Sequence, residues 1–422
     1  MDEILNRVCS IANHPVALLE DRFRIDYVKG LGSCLYLLSQ NSPITFLFFG
    51  VWASSILGCP VDANTFWRND IDALRKVVSL RRKGLSFFSM KKFFFVDVFY
   101  LLESSFIKGY RQEEAFTYLN DNICGFFTKG ALRKSHLAYK DKTDLSIFNN
   151  ALVSHMQQNQ EHLKQTEKRI LVVANVSAGK STLINAITGY RLNKTRTTSC
   201  TGKIVYLHNK RAADGLTIQK ADGNYEYFDD IEHVNSESFL HAAFPFHSQL
   251  DSTNICFIDT PGWNNCNEAQ HRIITEDAIK KESYDAILYI SNCQFNGTID
   301  EYQLLSLLKD EARKPIFFVL NQLDRFNKKQ DSVGKMIKDY RDDLIKIGFS
   351  SPIIIPTSAE AALLFKLPDS RLDDEDIIDR DTLYSRFCQD YYQLTSYIGQ
   401  PSSINPIENT GINYLEKLIK NI

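Results

Sequence analysis

The chain has 422 residues, of which 44% are hydrophobic and 24% are charged, and its formal net charge is −2 at pH 7. This length allows two or three domains with cores of their own, and the near-neutral charge argues against nucleic acid as a partner. Nine cysteines without a C-x-x-C pair indicate reduced thiols in a cytoplasmic protein rather than a disulfide framework or a zinc site.

Residues 1–144 contain apolar residues at helical spacing and no chemical motif, so we predict a mostly α-helical N-terminal domain of unknown role. Segment 44–59 is strongly apolar, but its 16 residues fall short of the roughly 20 that a spanning helix needs, and we expect a buried helix. Segment 81–92, RRKGLSFFSMKK, combines basic and aromatic residues. Such a cluster either docks on an anionic membrane or forms a solvated helix end, and we favour the helix end.

A polar connecting helix is predicted at 145–168, and residues 169–422 then alternate between strands and helices. This alternation predicts an α/β domain with a mostly parallel sheet and helices on both faces. The strands after the first are expected at 203–208, 255–260, 286–291, 315–320 and 352–357, and helices at 268–281, 300–311, 331–346 and 411–421. Ligands of such sheets bind beyond the carboxyl ends of the strands.

Residues 169–187, RILVVANVSAGKSTLINAI, predict a strand, a tight turn and the start of a helix. Consecutive backbone N–H groups and the helix dipole then point at one spot, which makes a phosphate cradle. Lys180 adds a charge for the β- and γ-phosphates, and the Ser181 hydroxyl suits Mg²⁺. Ala174 takes the place of the usual first glycine. The nucleotide contacts expected in this loop are Asn175, Val176, Ser177, Ala178, Gly179, Lys180, Ser181 and Thr182.

Two motifs at later strand ends concern the γ-phosphate and Mg²⁺. Asp259-Thr260-Pro261-Gly262 follows a predicted strand, so that Asp259 could hold Mg²⁺ through water and the Gly262 N–H could sense the γ-phosphate. The threonine-rich loop 195–202 should supply a further hydroxyl to Mg²⁺. Thr201 is our choice for that residue, and Thr198 is the alternative.

Two further motifs concern the base. The strand at 315–320 leads into Asn321-Gln322-Leu323-Asp324, where a carboxylate can accept both N–H groups of guanine and so select GTP over ATP. Asn321 should tie this loop to the phosphate loop, and Gln322 stands where a lysine usually covers the base. After the last predicted strand, Ser358 and Ala359 would complete the base site, with the Ala359 N–H directed at the guanine O6.

These motifs occur in the order found in regulatory GTPases, and ANVSAGKSTLINAITG, CTGK, DTPGW and LNQLD resemble those of bacterial dynamin-like GTPases. The resemblance covers about 145–422 and does not reach residues 1–140. It implies a P-loop GTPase domain of the dynamin type at 169–422, with an acidic insertion at about 361–408 and a closing helix at 411–421. Within the insertion, the run 372–381 is expected to be a solvated loop. No C-terminal stalk is evident.

The resemblance implies hydrolysis of GTP to GDP and phosphate. It gives catalytic roles to Lys180, Ser177 and Thr201, and metal-binding roles to Ser181, Thr201 and Asp259, with Mg²⁺ as cofactor and K⁺ or Na⁺ near Ser177 as a second cation. A water-orienting glutamine is missing, because Trp263 follows the D-x-x-G motif. We therefore expect slow turnover until two G domains dimerise.

The implied location is the cytoplasm or the surface of a membrane, and a stalk-bearing subunit or a membrane is a candidate partner. The alternative is a switch that binds GTP without hydrolysing it and controls a partner subunit.

Overall fold

The computed structural model describes residues 14–59, 61–79, 87–104, 112–141, 161–162, 164–192, 202–211, 216–228, 239–263, 269–294, 298–326, 332–400, 403 and 405–422. The chain divides into two compact units. The first comprises Met1–Lys164, Ala212–Thr217 and Tyr225–Tyr227, and the second comprises Gln165–Arg211, Ile218–Asn224 and Phe228–Ile422.

The N-terminal region is helical, as the apolar spacing predicted. Its described α-helices are α1 Asp21–Leu38, α2 Pro43–Leu57, α3 Ile71–Ser79, α4 Phe87–Ser104, α5 Gln112–Tyr118 and α6 Phe126–Asp141. Large aromatic side chains fill the core of this unit, and Tyr27, Trp52 and Phe94 are each at most 2% exposed. Because such rings bury large apolar areas, they contribute strongly to the hydrophobic stabilisation of this core.

The apolar segment at 44–59 forms a buried helix, as expected. Helix α2 begins after Ser42, whose hydroxyl accepts a hydrogen bond from the Thr45 N–H, and it ends at Gly58 in the left-handed conformation (φ +73°). These are a standard N-cap and C-cap. No helix among the described residues is long and apolar enough to span a bilayer.

The basic segment at 81–92 is only partly described. Residues 81–86 lie outside the described residues, and Lys91 is 6% exposed. The solvated helix end that we favoured for this segment therefore does not include Lys91, which is buried within α4. The connecting helix expected at 145–168 lies largely outside the described residues, and its last residue, Lys168, already belongs to a strand.

Among the described residues, nine strands form one sheet in the order β4-β3-β5-β2-β6-β1-β7-β8-β9. The strands are β1 Lys168–Ala174, β2 Val205–Asn209, β3 Leu216–Gln219, β4 Tyr225–Phe228, β5 His241–Phe244, β6 Ile255–Asp259, β7 Ala286–Asn292, β8 Ile316–Asn321 and β9 Ile353–Pro356. The predicted mostly parallel α/β sheet is confirmed, since β6, β1, β7, β8 and β9 run parallel. Strand β2 is antiparallel to β6, and β3, β4 and β5 were not predicted.

The helices that accompany the sheet include those predicted at 268–281, 300–311, 331–346 and 411–421, whereas the helices between residues 359 and 409 were not predicted. They are α7 Lys180–Thr188, α8 Ala269–Lys281, α9 Ile299–Glu311, α10 Val333–Ile347, α11 Ala359–Lys366, α12 Asp374–Phe387, α13 Pro406–Asn409 and α14 Ile412–Lys420. Residues 372–381 are exposed or partly exposed, as expected, but from Asp374 onward they form a helix and not a loop. Asp373 and Asp376 form a capping box that begins α12, and Leu383 and Phe387 are buried. Acidic residues in the first turn favour this helix through its dipole.

Candidate nucleotide-binding site

The turn between β1 and α7 has the backbone of a phosphate-binding loop. Ser177 has φ +65° and Gly179 has φ +83°, and helix α7 begins directly afterwards at Lys180. A Cβ atom on Gly179 would lie 2.5 Å from Asn321 Nδ2. Glycine is therefore required at position 179 both by the left-handed backbone and by the close approach of Asn321.

Asn321, at the end of β8, joins three parts of the site. Its Nδ2 donates to the carbonyl oxygen of Ala178 at 3.0 Å, and its Oδ1 accepts from the Ala359 N–H at 3.0 Å. The side chain is 1% exposed. Gln322 makes a second link, because its Nε2 donates to the Ser177 carbonyl at 2.9 Å. The phosphate loop is thus fixed to the loop expected to read the base.

Lys180 and Asp259 form a direct ion pair at the carboxyl ends of β1 and β6, and their side chains are 11% and 5% exposed. The contact shows that the lysine of the phosphate loop and the aspartate of the D-x-x-G motif reach the same point. Ser181, the next residue of α7, is partly buried. The Ser181 hydroxyl and the Asp259 carboxylate are hard oxygen donors, so this pair of residues fits Mg²⁺.

Asp324 is buried (7% exposed) in the loop that follows β8. The Ser358 hydroxyl donates to its Oδ1 at 2.6 Å, which orients the carboxylate. Burial, together with the charge of Asp324, raises the pKa of the nearby Glu360. The Ala359 N–H, which was expected to reach the guanine O6, donates to Asn321 Oδ1 in this structure.

The D-x-x-G loop packs against the phosphate loop. A Cβ on Gly262 would lie 3.0 Å from Val176 Cγ2, so glycine lets the two loops approach closely. The next side chain, Trp263, is 4% exposed and packs in the hydrophobic core, with the Arg272 guanidinium 4.9 Å from its ring centroid. The backbone N–H of Trp263 donates to the carbonyl of Ala174 at 3.1 Å. The indole is therefore a packing element.

Sequence reasoning missed a cavity of about 200 Å³ beside the phosphate loop. Its lining consists of Asn175, Val176, Ser177, Ala178, Ile290, Ser291, Asn292, Thr298, Asp300 and Glu301. Glu301 is buried and accepts from the Ser291 hydroxyl at 2.7 Å. The position of Ser291 and Asn292 at the end of β7 is the one sequence signal that could have pointed here.

The structure brings most of the predicted site residues into one region. The P-loop residues, Asp259, Gly262, Asn321, Gln322, Asp324, Ser358 and Ala359 all lie at the carboxyl ends of β1, β6, β8 and β9 or in the loops that follow them. Thr182 lies in the first turn of α7. Thr198 and Thr201 lie outside the described residues.

Residues 170–323 match the sequence model of the dynamin family. This segment is therefore a dynamin-type G domain, which confirms the resemblance drawn from the motifs. No protein among those with curated functions matches the chain significantly.

Three solved structures illustrate the similarity. A chain of an oligomerised bacterial dynamin pair, described as sensing and tethering membranes, is 15% identical, with 94% of this chain and 62% of that chain covered and a TM-score of 0.38. Toc33 from Arabidopsis thaliana with Mg²⁺ and GMPPNP is 11% identical (64% and 88% covered, TM-score 0.35). Era from Aquifex aeolicus with GDP and AlF₄⁻ is 16% identical (46% and 52% covered, TM-score 0.29). The chain spans less than two thirds of the length of the bacterial dynamin chains that it matches.

Proposed function

We propose that this chain binds GTP at the site formed by the phosphate loop and Asp324 and hydrolyses it to GDP and phosphate with Mg²⁺. The observation that carries the proposal is the pair of hydrogen bonds that the Asn321 side chain makes to Ala178 and Ala359. Beside them lies the buried Asp324, whose carboxylate is oriented by Ser358. A carboxylate placed in this way matches the two N–H donors of guanine, and adenine would leave it unpaired.

Each residue of the phosphate site has a physical role in this proposal. Backbone N–H groups of the loop and the N-terminus of α7 bind the phosphate oxygens. Lys180 exchanges its ion pair with Asp259 for the phosphates, and this exchange leaves the Asp259 carboxylate to hold Mg²⁺ together with Ser181 and Thr201. Bound there, Mg²⁺ supplies charge neutralisation to the phosphates.

Positioning of the attacking water is assigned to groups other than Trp263, because that side chain packs in the core. We assign this step to the backbone of Gly262, to Thr201 and to Ser177. Ser177 sits at the turn of the loop with a positive φ. A monovalent cation, K⁺ or Na⁺, held near Ser177 would add positive charge where the transition state gains negative charge.

Hydrolysis is proposed to be slow in a single chain and faster when two G domains associate. Val176, at the outer side of the phosphate loop, is 39% exposed and is a candidate contact for a second copy. A membrane or a stalk-bearing subunit is a further proposed partner. A second candidate function is a GTP-dependent switch without turnover, and the buried Trp263 favours it, because the first side chain after D-x-x-G packs in the core and does not orient water.

Base selection is tested by replacing Asp324 with asparagine. Losing a charge-assisted hydrogen-bonded pair costs about 1.5–3 kcal/mol, so GTP affinity should fall by about 10–150-fold. The amide should also accept xanthosine triphosphate, whose extra carbonyl complements its NH₂ group. Asp343→Asn is the matched control, since Asp343 is 50% exposed and pairs only with Lys346 among the described contacts. Unchanged guanine preference in Asp324→Asn would show that the base reader is misassigned.

Turnover is tested by measuring phosphate release per chain over a range of protein concentrations, in K⁺ and in Na⁺. Lys180→Ala serves as the inactive reference, because it removes the charge that binds the β- and γ-phosphates. A rate per chain that rises with concentration supports the dimer-activated GTPase. Tight GTP binding with a rate equal to that of Lys180→Ala would favour the switch without hydrolysis.

A further inference from the structure

A second cluster of metal-ligating side chains lies at the other end of the same strands. His208 on β2 is flanked by Glu167, by Cys256 on β6 and by His241 on β5. His208 Nδ1 lies 2.8 Å from Glu167 Oε1, and its Nε2 lies 3.1 Å from His241 Nδ1 and 3.9 Å from Cys256 Sγ. These residues sit at the amino ends of β1 and β6, whereas the phosphate loop and Asp259 sit at the carboxyl ends.

Sheet pairing explains why residues so far apart in sequence converge. The four residues belong to, or directly precede, the adjacent strands β5, β2, β6 and β1. His208 is directly opposite Cys256 in the antiparallel β2–β6 ladder, and His241 is opposite Tyr206, two residues before His208. Positions related in this way share one face of a sheet. The convergence is therefore built into the register of the strands.

Distances within the cluster fit a small divalent cation. Zn–N bonds of about 2.05 Å and a Zn–S bond of about 2.3 Å at tetrahedral angles place two nitrogens about 3.3 Å apart and nitrogen and sulfur about 3.6 Å apart. The corresponding distances from His208 Nε2 are 3.1 Å to His241 Nδ1 and 3.9 Å to Cys256 Sγ. Both distances from His208 Nε2 therefore lie within about 0.3 Å of the values for atoms that share one ion.

The surroundings of the cluster also favour a cation. The Glu167 side chain is 9% exposed, and its Oε2 has no hydrogen-bond partner among the described residues. A buried carboxylate oxygen without a partner is costly unless a positive charge lies close to it. His208 and Cys256 are fully or almost fully buried, whereas His241 is half-buried and stacks on Tyr206 at 4.4 Å. His241 thus offers a path from solvent to the site.

We propose that His208 Nε2, His241 Nδ1 and the Cys256 thiolate bind one Zn²⁺ ion, with the Glu167 carboxylate accepting from His208 Nδ1–H. Nitrogen and sulfur ligands select a borderline-soft cation over Mg²⁺. The carboxylate holds the imidazole in the tautomer that presents Nε2 to the metal, which is a common outer-shell arrangement in zinc proteins. The site is separate from the proposed Mg²⁺ site and ties together four adjacent strands of the sheet.

Cobalt substitution tests the proposal on the full chain. The reduced protein, freed of metal with a chelator, is titrated with Co²⁺ in the presence of GDP and excess Mg²⁺, so that the nucleotide site does not take up the probe. One Co²⁺ per chain should bind with the near-ultraviolet charge-transfer absorption of a cobalt–thiolate bond, and Zn²⁺ should displace it. Cys256→Ser should lose this absorption, and Cys388→Ser, which changes an exposed thiol, should keep it.

Two further variants keep the test decisive if Cys256→Ser fails to fold. His241→Gln alters a half-buried ligand, and it should weaken Co²⁺ binding at least tenfold while the circular dichroism spectrum stays unchanged. Glu167→Gln should keep the thiolate absorption and bind Co²⁺ about 10–100-fold more weakly, as expected for an outer-shell carboxylate. Absence of the thiolate absorption from the wild type, or its persistence in Cys256→Ser, would show that the cluster is only a hydrogen-bonded one.

Discussion

Replacing Gly179 by alanine should damage the site by two separable effects. The first is backbone strain, since a non-glycine residue at φ +83° costs about 1–2 kcal/mol. The second is a collision, because the new Cβ would lie 2.5 Å from Asn321 Nδ2 and Asn321 is itself fixed by hydrogen bonds to Ala178 and Ala359. If Asn321 moves away, two buried hydrogen bonds are lost, at about 0.5–1.5 kcal/mol each.

Gly223 provides the matched control for this substitution. Its φ is +85°, almost the same as that of Gly179, but a Cβ placed on it would meet no atom within 4 Å. Gly223→Ala should therefore lower the free energy of unfolding by the strain alone, about 1–2 kcal/mol. Gly179→Ala should lower it by about 2–5 kcal/mol. Urea unfolding of both variants beside the wild type gives the difference.

Nucleotide binding adds a second measurement to the same pair of variants. Gly179→Ala should also weaken GTP binding, since the displaced Asn321 no longer fixes the phosphate loop to the base loop, and Gly223→Ala should leave GTP affinity unchanged. Equal destabilisation by the two substitutions, or equal GTP affinities, would refute the assignment of Asn321 as the bridge.

Two further predictions concern buried aromatic side chains. Trp263→Gln, which restores the residue type common after D-x-x-G, should lower the stability to urea by about 3 kcal/mol or more and leave phosphate release no faster, because position 263 packs in the core. Faster release would place this side chain at the nucleotide. Burial, aided by Lys140 and opposed by Glu113, lowers the pKa of His136. The unfolded chain then binds a proton more readily, and stability should fall as pH drops below about 6.5. His136→Phe, which keeps a ring against Phe116, should reduce the loss in melting temperature between pH 7.5 and 5.5; an unchanged loss would assign it to other groups.

The parts of the site that could be predicted from the sequence are those that depend only on neighbouring residues in the chain. The phosphate loop, Asp259 and Asn321 each follow a run of apolar, mostly buried residues, so that a motif and its place at a strand end can be predicted from a few neighbouring residues. Strands β3, β4 and β5 have only four residues each, and HAAF at His241–Phe244 has no apolar alternation. Such strands are defined by their neighbours in the sheet.

Features that depend on tertiary packing could not be predicted from the sequence. The D-T-P-G-W motif does not show whether Trp263 faces the nucleotide or the core, because both positions suit a residue that follows a tight turn. The acidic run at 372–381 was expected to be a loop, but a cap at Asp373 and the burial of Leu383 and Phe387 make it part of a helix. The cluster around His208 was invisible for the same reason, since it depends on the register of the pairing between β2 and β6.

That ladder also links the two proposed cation sites physically. Along β6, Cys256 and Asp259 are three residues apart, which is about 10 Å in an extended strand. In the antiparallel partner, His208 is opposite Cys256 and Val205 is opposite Asp259. A cation that holds His208 against Cys256 would fix one end of a four-residue ladder whose other end carries Asp259, the aspartate proposed to bind Mg²⁺. Thr201, the predicted switch threonine, precedes the first residue of β2, Val205, by four residues in the sequence. Zinc bound at His208 would therefore influence how firmly β2 holds the end of the loop that contains Thr201. Loss of zinc should therefore lower the affinity for GTP more than that for GDP, because only GTP requires the threonine to close on the γ-phosphate.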